Sequence, residues 1–344
     1  MTERVLSERE LNRALLARQL LLERAPVAIP RALERMGCLQ AQYAPSMYIG
    51  LWSRVEGFER GALTRALERR SVVQGTLMRS TIHLVSARDY WPLALVAHRG
   101  RRDWWLRVTR EGLTARDMSA AARKLRPRLA AHTLRRTEIE ELVGKRRAAG
   151  LGHWLPMVRV PPSGTWERRR ADLYAAAEDW LGAPDVTPED AVDQLVRRYL
   201  SGFGPATLGE IANWAGVAAA VVAPALERVK LRRFVATDGE ELVDLPRAPL
   251  PDPETPAPVR LLPTWDAILL AHARRAEILP ERHRERVFHT RMPQSVPTFL
   301  VDGAVAGAWR YDAGRVTLDP FERLDRATLR ALREEGERMA AFHA

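Results

Sequence analysis

The stretch "TLGEIANWAGVAAAVVAPALERVKLRRFVATDGEELVDLP", residues 207–246, decides how the rest of the chain is read. Thr207 stands three residues before Glu210, the spacing of a capping box, in which each side chain reaches the other residue's backbone N–H and starts a helix. That helix ends at Gly216, and "AAAVVAPALERVKL" supplies a second one after the turn. "RRFVATDGEELVDLP" is then broken by Asp238-Gly239, a residue pair suited to a tight hairpin turn. Helix, glycine turn, helix and hairpin in this order predict a winged helix-turn-helix unit.

Upstream segments repeat the idea. Ser7 and Glu10 fit another capping box, with Leu11, Leu15 and Leu22 recurring near helical spacing until "APVAIP" ends the helix. Helices are predicted from Arg31 ("RALERMGCLQ") and Gly61 ("GALTRALERR"), followed by a strand, "STIHLVS", and by Ser86 as cap of "ARDYWPLALVAH". Thr137 is a cap candidate for "EIEELVGKRRAA", and "HWLPMVRVPPSGTWERR" offers a strand, a Pro-Gly turn and a return strand. Leu245 to Pro263 is Pro-rich and reads as a linker. Beyond it, "PTFLVDGAVAGAWRYDAGRVTLDP" turns at Asp302-Gly303 and at Asp312-Ala313-Gly314, and an amphipathic helix follows from about Ala327 to Phe342. The expected fold is α+β, mainly α: tandem winged helix-turn-helix motifs forming a concave DNA-binding surface, with a small C-terminal antiparallel sheet. The expected units are 1–130, a winged helix carrying the glutamine motif described below; 131–246, two further winged helices; 247–263, the linker; and 264–344, a C-terminal α/β unit. A repressor usually has one such motif per protomer; several in one chain suit a continuous basic surface.

Length and composition narrow the function. A chain of 344 residues has room for two or three domains, and 46% hydrophobic residues supply their cores. No run of eighteen apolar residues occurs, and "MTERVLSERE" lacks an apolar signal region, so no membrane partner and a cytoplasmic, nucleoid-associated location are expected. Cys38 is the single cysteine and cannot form an internal disulfide; a small buried hydrophobe is its expected role. The formal charge of +11 favours a polyanion, and double-stranded DNA is the expected partner of a monomeric protein. Arginine supplies nearly all of that charge, as a GC-rich genome would also dictate; Lys124, Lys145 and Lys230 are the only lysines. There is no HExxH, paired CxxC, Walker A loop or GxGxxG, and the eight histidines show no ligand spacing, so neither metal nor cofactor is expected.

"CLQAQYAPSMYIGLW", residues 38–52, places Gln40 and Gln42 around one small residue, at the expected end of a helix that Pro45 stops. Residues two apart diverge on a helix and converge only where the backbone is extended or leaving it. Two convergent amides offer donors and acceptors without charge, enough to clamp a water, a base edge or a sugar. Two ordinary surface glutamines fit the same residues.

"LQAQYAPSMYIGLWSRVEGF" resembles the corresponding segment of the AlkZ-type bacterial DNA glycosylases, relatives of YcaQ, in which a Gln-aliphatic-Gln motif carries the active site and the YcaQ branch has Asp second. The match here is Gln40-Ala41-Gln42. "LMRSTIHLVSARDYW" from Leu77, "FGPATLGEIANWAGV" from Phe203, "LLPTWDAILLAHARR" from Leu261 and "PTFLVDGAVAGAWR" from Pro297 extend the resemblance over nearly the whole chain. "TWDAILLAHARR" departs from the family pattern, with Ala267 after Asp266 and Arg274 before the final arginine. The resemblance implies a monofunctional glycosylase that excises N7- or N3-alkylated purines and unhooks interstrand crosslinks, with Gln40 and Gln42 catalytic. Glutamine does not titrate near neutral pH, so the motif suits cationic bases whose bond to the sugar is already weakened. Expected neighbours are Arg79 as a phosphate contact, Thr81 and His83 on the predicted strand, Tyr48 and Arg54 from the motif segment, and Trp265, Asp266 and His272 from the "TWDAILLAHARR" segment. The alternative is a non-catalytic winged-helix transcription regulator with a preferred DNA sequence.

Overall fold

The computed structural model describes residues 4–109, 112–271, 276–288 and 295–344. The N-terminal half runs β1 (Val5–Leu6), α1 (Glu8–Arg18), α2 (Ile29–Met36), β2 (Leu39–Gln40), α3 (Ala44–Trp52), α4 (Arg60–Glu68), β3 (Val72–Thr76), β4 (Ile82–Ser86), α5 (Ala87–Val108), α6 (Ala115–Ala131), β5 (Leu134–Arg135), α7 (Arg136–Val143) and α8 (Lys145–Gly150). It continues through β6 (Met157–Arg159), β7 (Leu173–Ala176), α9 (Ala177–Leu181), α10 (Pro188–Phe203), α11 (Leu208–Ala215), α12 (Ala219–Arg228), β8 (Arg232–Ala236) and β9 (Glu241–Asp244). The C-terminal part holds β10 (Arg260–Leu262), α13 (Ala267–Leu270), α14 (Arg284–Val287), β11 (Thr298–Val301), β12 (Ala304–Asp312), β13 (Arg315–Pro320) and α15 (Arg326–His343). The result is a mixed α/β fold, rich in helix, whose small sheets are antiparallel apart from the β1–β8 pair. Among the described residues no helix is long and apolar enough to cross a membrane.

Residues 207–246 fold as their punctuation dictates. Thr207 Oγ1 accepts from Glu210 N at 3.1 Å, and Glu210 accepts from Thr207 N at 2.9 Å, so α11 starts with a complete capping box. Gly216 ends it at φ 74°, where an added Cβ would lie 3.0 Å from Arg79 N. β8 and β9 pair antiparallel, β1 joins β8 in parallel, and an Ala206–Val243 bridge extends the sheet beyond β9. α10 packs against α11, Tyr199 and Phe203 meeting Trp214 with ring centroids 5.3 and 6.0 Å apart.

A six-stranded antiparallel sheet in the order β2-β4-β3-β6-β7-β5 joins strands from residues 39–86 to strands from 134–176. Side chains alternate across it. Val73 and Val85 join α5, α10 and α11 in one core. Val72, Leu84 and Leu39 join α3, α4 and the C-terminal Phe299 and Trp309 in another. The helix read from Arg31 stops at Met36, because Gly37 takes φ 84° and releases the chain into β2. Pro45 does not stop a helix. It lies in the first turn of α3, where its missing N–H has no partner to lose, so Gln40, on β2, and Gln42, in the bend after it, precede a helix.

Other boundaries shift for local reasons. α7 begins at Arg136, with Glu138 accepting from Arg135 N at 2.6 Å, so Thr137 lies inside the helix and Gly144 (φ 87°) divides it from α8. The return strand from β6 is β7, beginning at Leu173 beyond "TWERR". The Pro-rich stretch is strapped to α1: Arg9 Nε donates to Pro253 O at 2.9 Å, Arg13 Nε to Thr255 O at 2.7 Å and Arg18 Nη2 to Pro249 O at 2.9 Å. Its last residues form β10 of the four-stranded C-terminal sheet. That sheet turns where expected, with Asp302-Gly303 and Ala313-Gly314 all at positive φ.

Candidate active site

β2 lies along β4 with Gln40 opposite His83, and Ala41 N continues the ladder to Ile82 O at 2.7 Å. Alternation sends Leu39 and Ala41 into the core under α3 and turns Gln40 the other way, while Gln42 lies past the strand, in a bend. Gln40 is 6% exposed. Gln42 is exposed; its Oε1 accepts from Ile82 N at 3.2 Å. His83 is 2% exposed, with Nδ1 3.0 Å from Thr81 O. Burial, with Arg79 nearby, pushes its pKa down to about 3. The ring is therefore neutral, with Nδ1–H donated to Thr81 and Nε2 left as an acceptor.

Gln42 borders a cleft of ≈ 160 Å³ whose lining contains no aspartate or glutamate. Thr76 and Ser80 supply hydroxyls, Arg136 and Arg159 supply guanidiniums, and His98 and His153 supply rings. His98 Nε2 lies 2.7 Å from Thr76 O, and His153 Nε2 lies 3.2 Å from Ser80 Oγ. Burial lowers the first to about 4 and the second to about 3, so neither is charged near neutral pH. Sequence reasoning missed these six residues. They come from separate elements that only the sheet register and α5 bring together, and no local motif marks them.

The remaining candidates separate. Thr81 Oγ1 donates to Met78 O at 3.1 Å beside the ladder. Arg79, at φ 51°, donates through Nη1 to Trp214 O at 2.7 Å and so satisfies the last turn of α11. Tyr48 is fully buried, its hydroxyl 3.0 Å from Thr64 Oγ1 and its ring edge-on to Trp166 at 5.7 Å. Arg54 and Asp266 form a fully buried bidentate pair at 2.9 and 2.8 Å, and Asp266 also caps α13. Both are locks between α3 and the C-terminal part, removed from the cleft lining. Trp265 is half-buried at φ 63°, its N–H donating to Ser295 Oγ at 2.9 Å. His272 lies outside the described residues. Trp104 carries Arg101 3.7 Å over its ring. The Cys38 thiol is pushed up to about 12 by burial and is no nucleophile. No group of three or more His, Cys, Asp or Glu able to hold a metal ion occurs among the described residues.

The site thus presents two amides and one neutral imidazole, without a carboxylate, beside a cationic cleft. It can place a water and orient dipoles; none of these groups supplies a proton near neutral pH.

A family model described as "DNA glycosylase AlkZ-like" matches residues 33–342. An interstrand DNA cross-link repair glycosylase of Streptomyces sahachiroi is 23% identical, the match covering 94% of this chain and 93% of the relative. The solved structure of the Streptomyces sahachiroi DNA glycosylase AlkZ aligns with a TM-score of 0.83 at 19% identity, over 98% of this chain and 97% of the other, which establishes the shared fold.

Proposed function

The chain belongs to the AlkZ-like DNA glycosylases, enzymes that hydrolyse N-glycosyl bonds, and from that premise we propose that it releases cationic N7- or N3-alkylated purines from duplex DNA, using a water placed by Gln40 and Gln42. The observation that carries this reading is the uncharged setting of the motif: Gln40 lies across the β2–β4 ladder from a buried, neutral His83, and Gln42 borders a cleft whose lining holds no carboxylate. A cationic base leaves without protonation, so the site needs no general acid. It needs dipoles fixed toward the sugar, where positive charge develops, and a water on its open face.

The +11 charge supports sequence-independent binding to phosphates. In this reading winged-helix units within 1–130 and 131–246 line one concave surface, the stretch 247–263 straps it to the C-terminal unit 264–344, and the protein acts as a monomer. An open surface accepts a lesion tethered to both strands, which a pocket requiring base flipping would refuse. Unhooking of crosslinks, the activity named for the Streptomyces relative, follows as a proposal for this chain.

The regulator alternative meets an obstacle in α12, the helix that would enter the major groove. Its exposed residues before Arg228 are Ala219, Ala220, Val221, Pro224 and Glu227, with no donor suited to base edges. Arg228 itself is tied to Asp193 at 2.6 Å and Glu189 at 3.1 Å.

The test is release of N7-methylguanine from a duplex by wild type and by Gln42→Ala. We expect abasic sites from the wild type and about a 10²–10³-fold slower reaction in the variant, with DNA still bound. A wild type that releases nothing from this duplex or from a nitrogen-mustard crosslink refutes the reading.

A further inference from the structure

Arg159 is a buried cation that the proposed reaction leaves unused. It sits on β6, 9% exposed, opposite Gln74 of β3 and Tyr174 of β7. Nη1 donates to Thr76 Oγ1 at 3.1 Å, and the guanidinium lies 5.1 Å from the Tyr174 ring centre. Nε is buried and has no acceptor. No carboxylate pairs with it among the described residues. Arg18 pairs with Asp244, Arg54 with Asp266 and Arg13 with Asp302; Arg260 is also buried without an ion pair among the described residues, but it donates to the Val259 and Leu22 carbonyls and does not line the cleft. A buried charge without a counter-charge costs more than a well-packed apolar side chain of the same size. Burial accordingly pulls its pKa below the usual arginine value.

The surroundings say what would compensate it. Arg159, Arg136, Thr76 and Gln42 line one cleft without an acidic residue, and Arg136 meets Glu140 through Nε at 2.7 Å. His98 and His153 add donors and acceptors but no negative charge. A cationic purine is repelled there, whereas every nucleotide of DNA brings an anion of the right kind.

We propose that this cleft is a phosphodiester site, in which Arg159, with Thr76 and Arg136, holds the phosphate adjoining the lesion nucleotide and so sets its sugar against Gln42. The proposal rests on the glycosylase reading above. Arg159 is a positioning residue: it makes and breaks no bond, and the cationic base stays on the far side of Gln42. The site is thereby divided into an anion anchor and a neutral hydrolytic face.

The experiment uses the full chain as wild type, Arg159→Met and Arg159→Lys. The N7-methylguanine duplex carries a single methylphosphonate, a neutral phosphate replacement, either beside the lesion or several nucleotides away. We expect Arg159→Met to unfold at the same or higher urea concentration than wild type, because it loses a lone buried charge. Its KM for the duplex rises and the salt slope of binding falls by about 0.9, one phosphate contact; Arg159→Lys recovers part of the loss. The adjacent methylphosphonate slows wild type as much as Arg159→Met does, and slows the variant no further. The proposal is overturned if the adjacent and remote methylphosphonates act alike, if the adjacent one adds its full effect to that of Arg159→Met, or if Arg159→Met is strongly destabilised while its folded fraction excises normally. A wild type that releases no base brings down the glycosylase reading itself; a wild type that releases base without this coupling brings down the phosphate site alone.

Discussion

His83 gives a sharp thermodynamic prediction, and His83→Asn isolates it, because the asparagine amide can still donate to the Thr81 carbonyl but cannot titrate. In the folded protein the imidazole has a pKa of about 3; in the unfolded chain the value returns to 6.5. Below pH 6.5 the unfolded chain therefore takes up a proton that the native state refuses. The stability tied to a neutral His83 is complete above pH 6.5 and is lost progressively as pH falls toward 3. Between pH 7 and pH 5 the loss covers about 1.5 pH units at about 1.4 kcal/mol each, or roughly 2 kcal/mol. Burial supplies most of this, with Arg79 adding to it. Urea unfolding of both proteins at the two pH values gives the difference directly, since packing lost in the variant at both values cancels. Wild type is expected to lose roughly 2 kcal/mol more than His83→Asn on going from pH 7 to pH 5. Equal losses would refute the placement of His83 as a neutral, buried partner of Gln40.

The same neutral set predicts kinetics. Single-turnover release of N7-methylguanine between pH 6 and 9 should show no tenfold-per-unit limb, because Gln40 and Gln42 do not titrate and His83, His98 and His153 titrate far below this range; a limb near 6.5 would point to a working acid or base instead. Asp266→Ala should cost about 3–5 kcal/mol in urea unfolding by leaving Arg54 buried and unpaired, and the double variant Arg54→Met/Asp266→Leu should recover most of it.

Much of the secondary structure was legible because its signals are local. The Thr207-Glu210 and Ser7-Glu10 boxes, the Ser86 cap, Gly216 and the turn glycines each set their own dihedrals or hydrogen bonds, and the structure shows each in place. Pro45 is ambiguous in the sequence because proline ends a helix from within but suits its first turn equally well, and only the following residues decide. The Thr114-Asp117 box that opens α6 is a local signal of the same kind. The six-stranded sheet was not legible, since β2, β3 and β6 find one another across long stretches of chain and two of them are only two or three residues long. The cleft followed the sheet into obscurity. Arg79 shows the limit most plainly: its place at the start of the predicted strand suits a phosphate contact, but a left-handed turn aims it at the end of α11. The spacing of Gln40 and Gln42 fits ordinary surface glutamines equally well, and it is the family resemblance that marks them; the pairing of Gln40 with His83 depends on β4, 43 residues on in the chain.

The arginines of α1 carry a consequence for how the chain is made. Arg18 grips Asp244 at the end of β9, 226 residues on; Arg13 grips Asp302 in the β11–β12 turn, 289 residues on; and Arg24, just past the helix, grips Glu335 of α15 across 311 residues. At ribosomal speeds of about 5–20 residues per second, α1 emerges roughly ten to forty-five seconds before Asp244 and longer before the rest. Through that interval three cations and the apolar stripe beside them lack the partners that will bury them. A segment made before its partners is thus among the last to dock, and the β8–β9 hairpin, the Pro-rich strap and the C-terminal sheet are fastened together only once α15 has emerged.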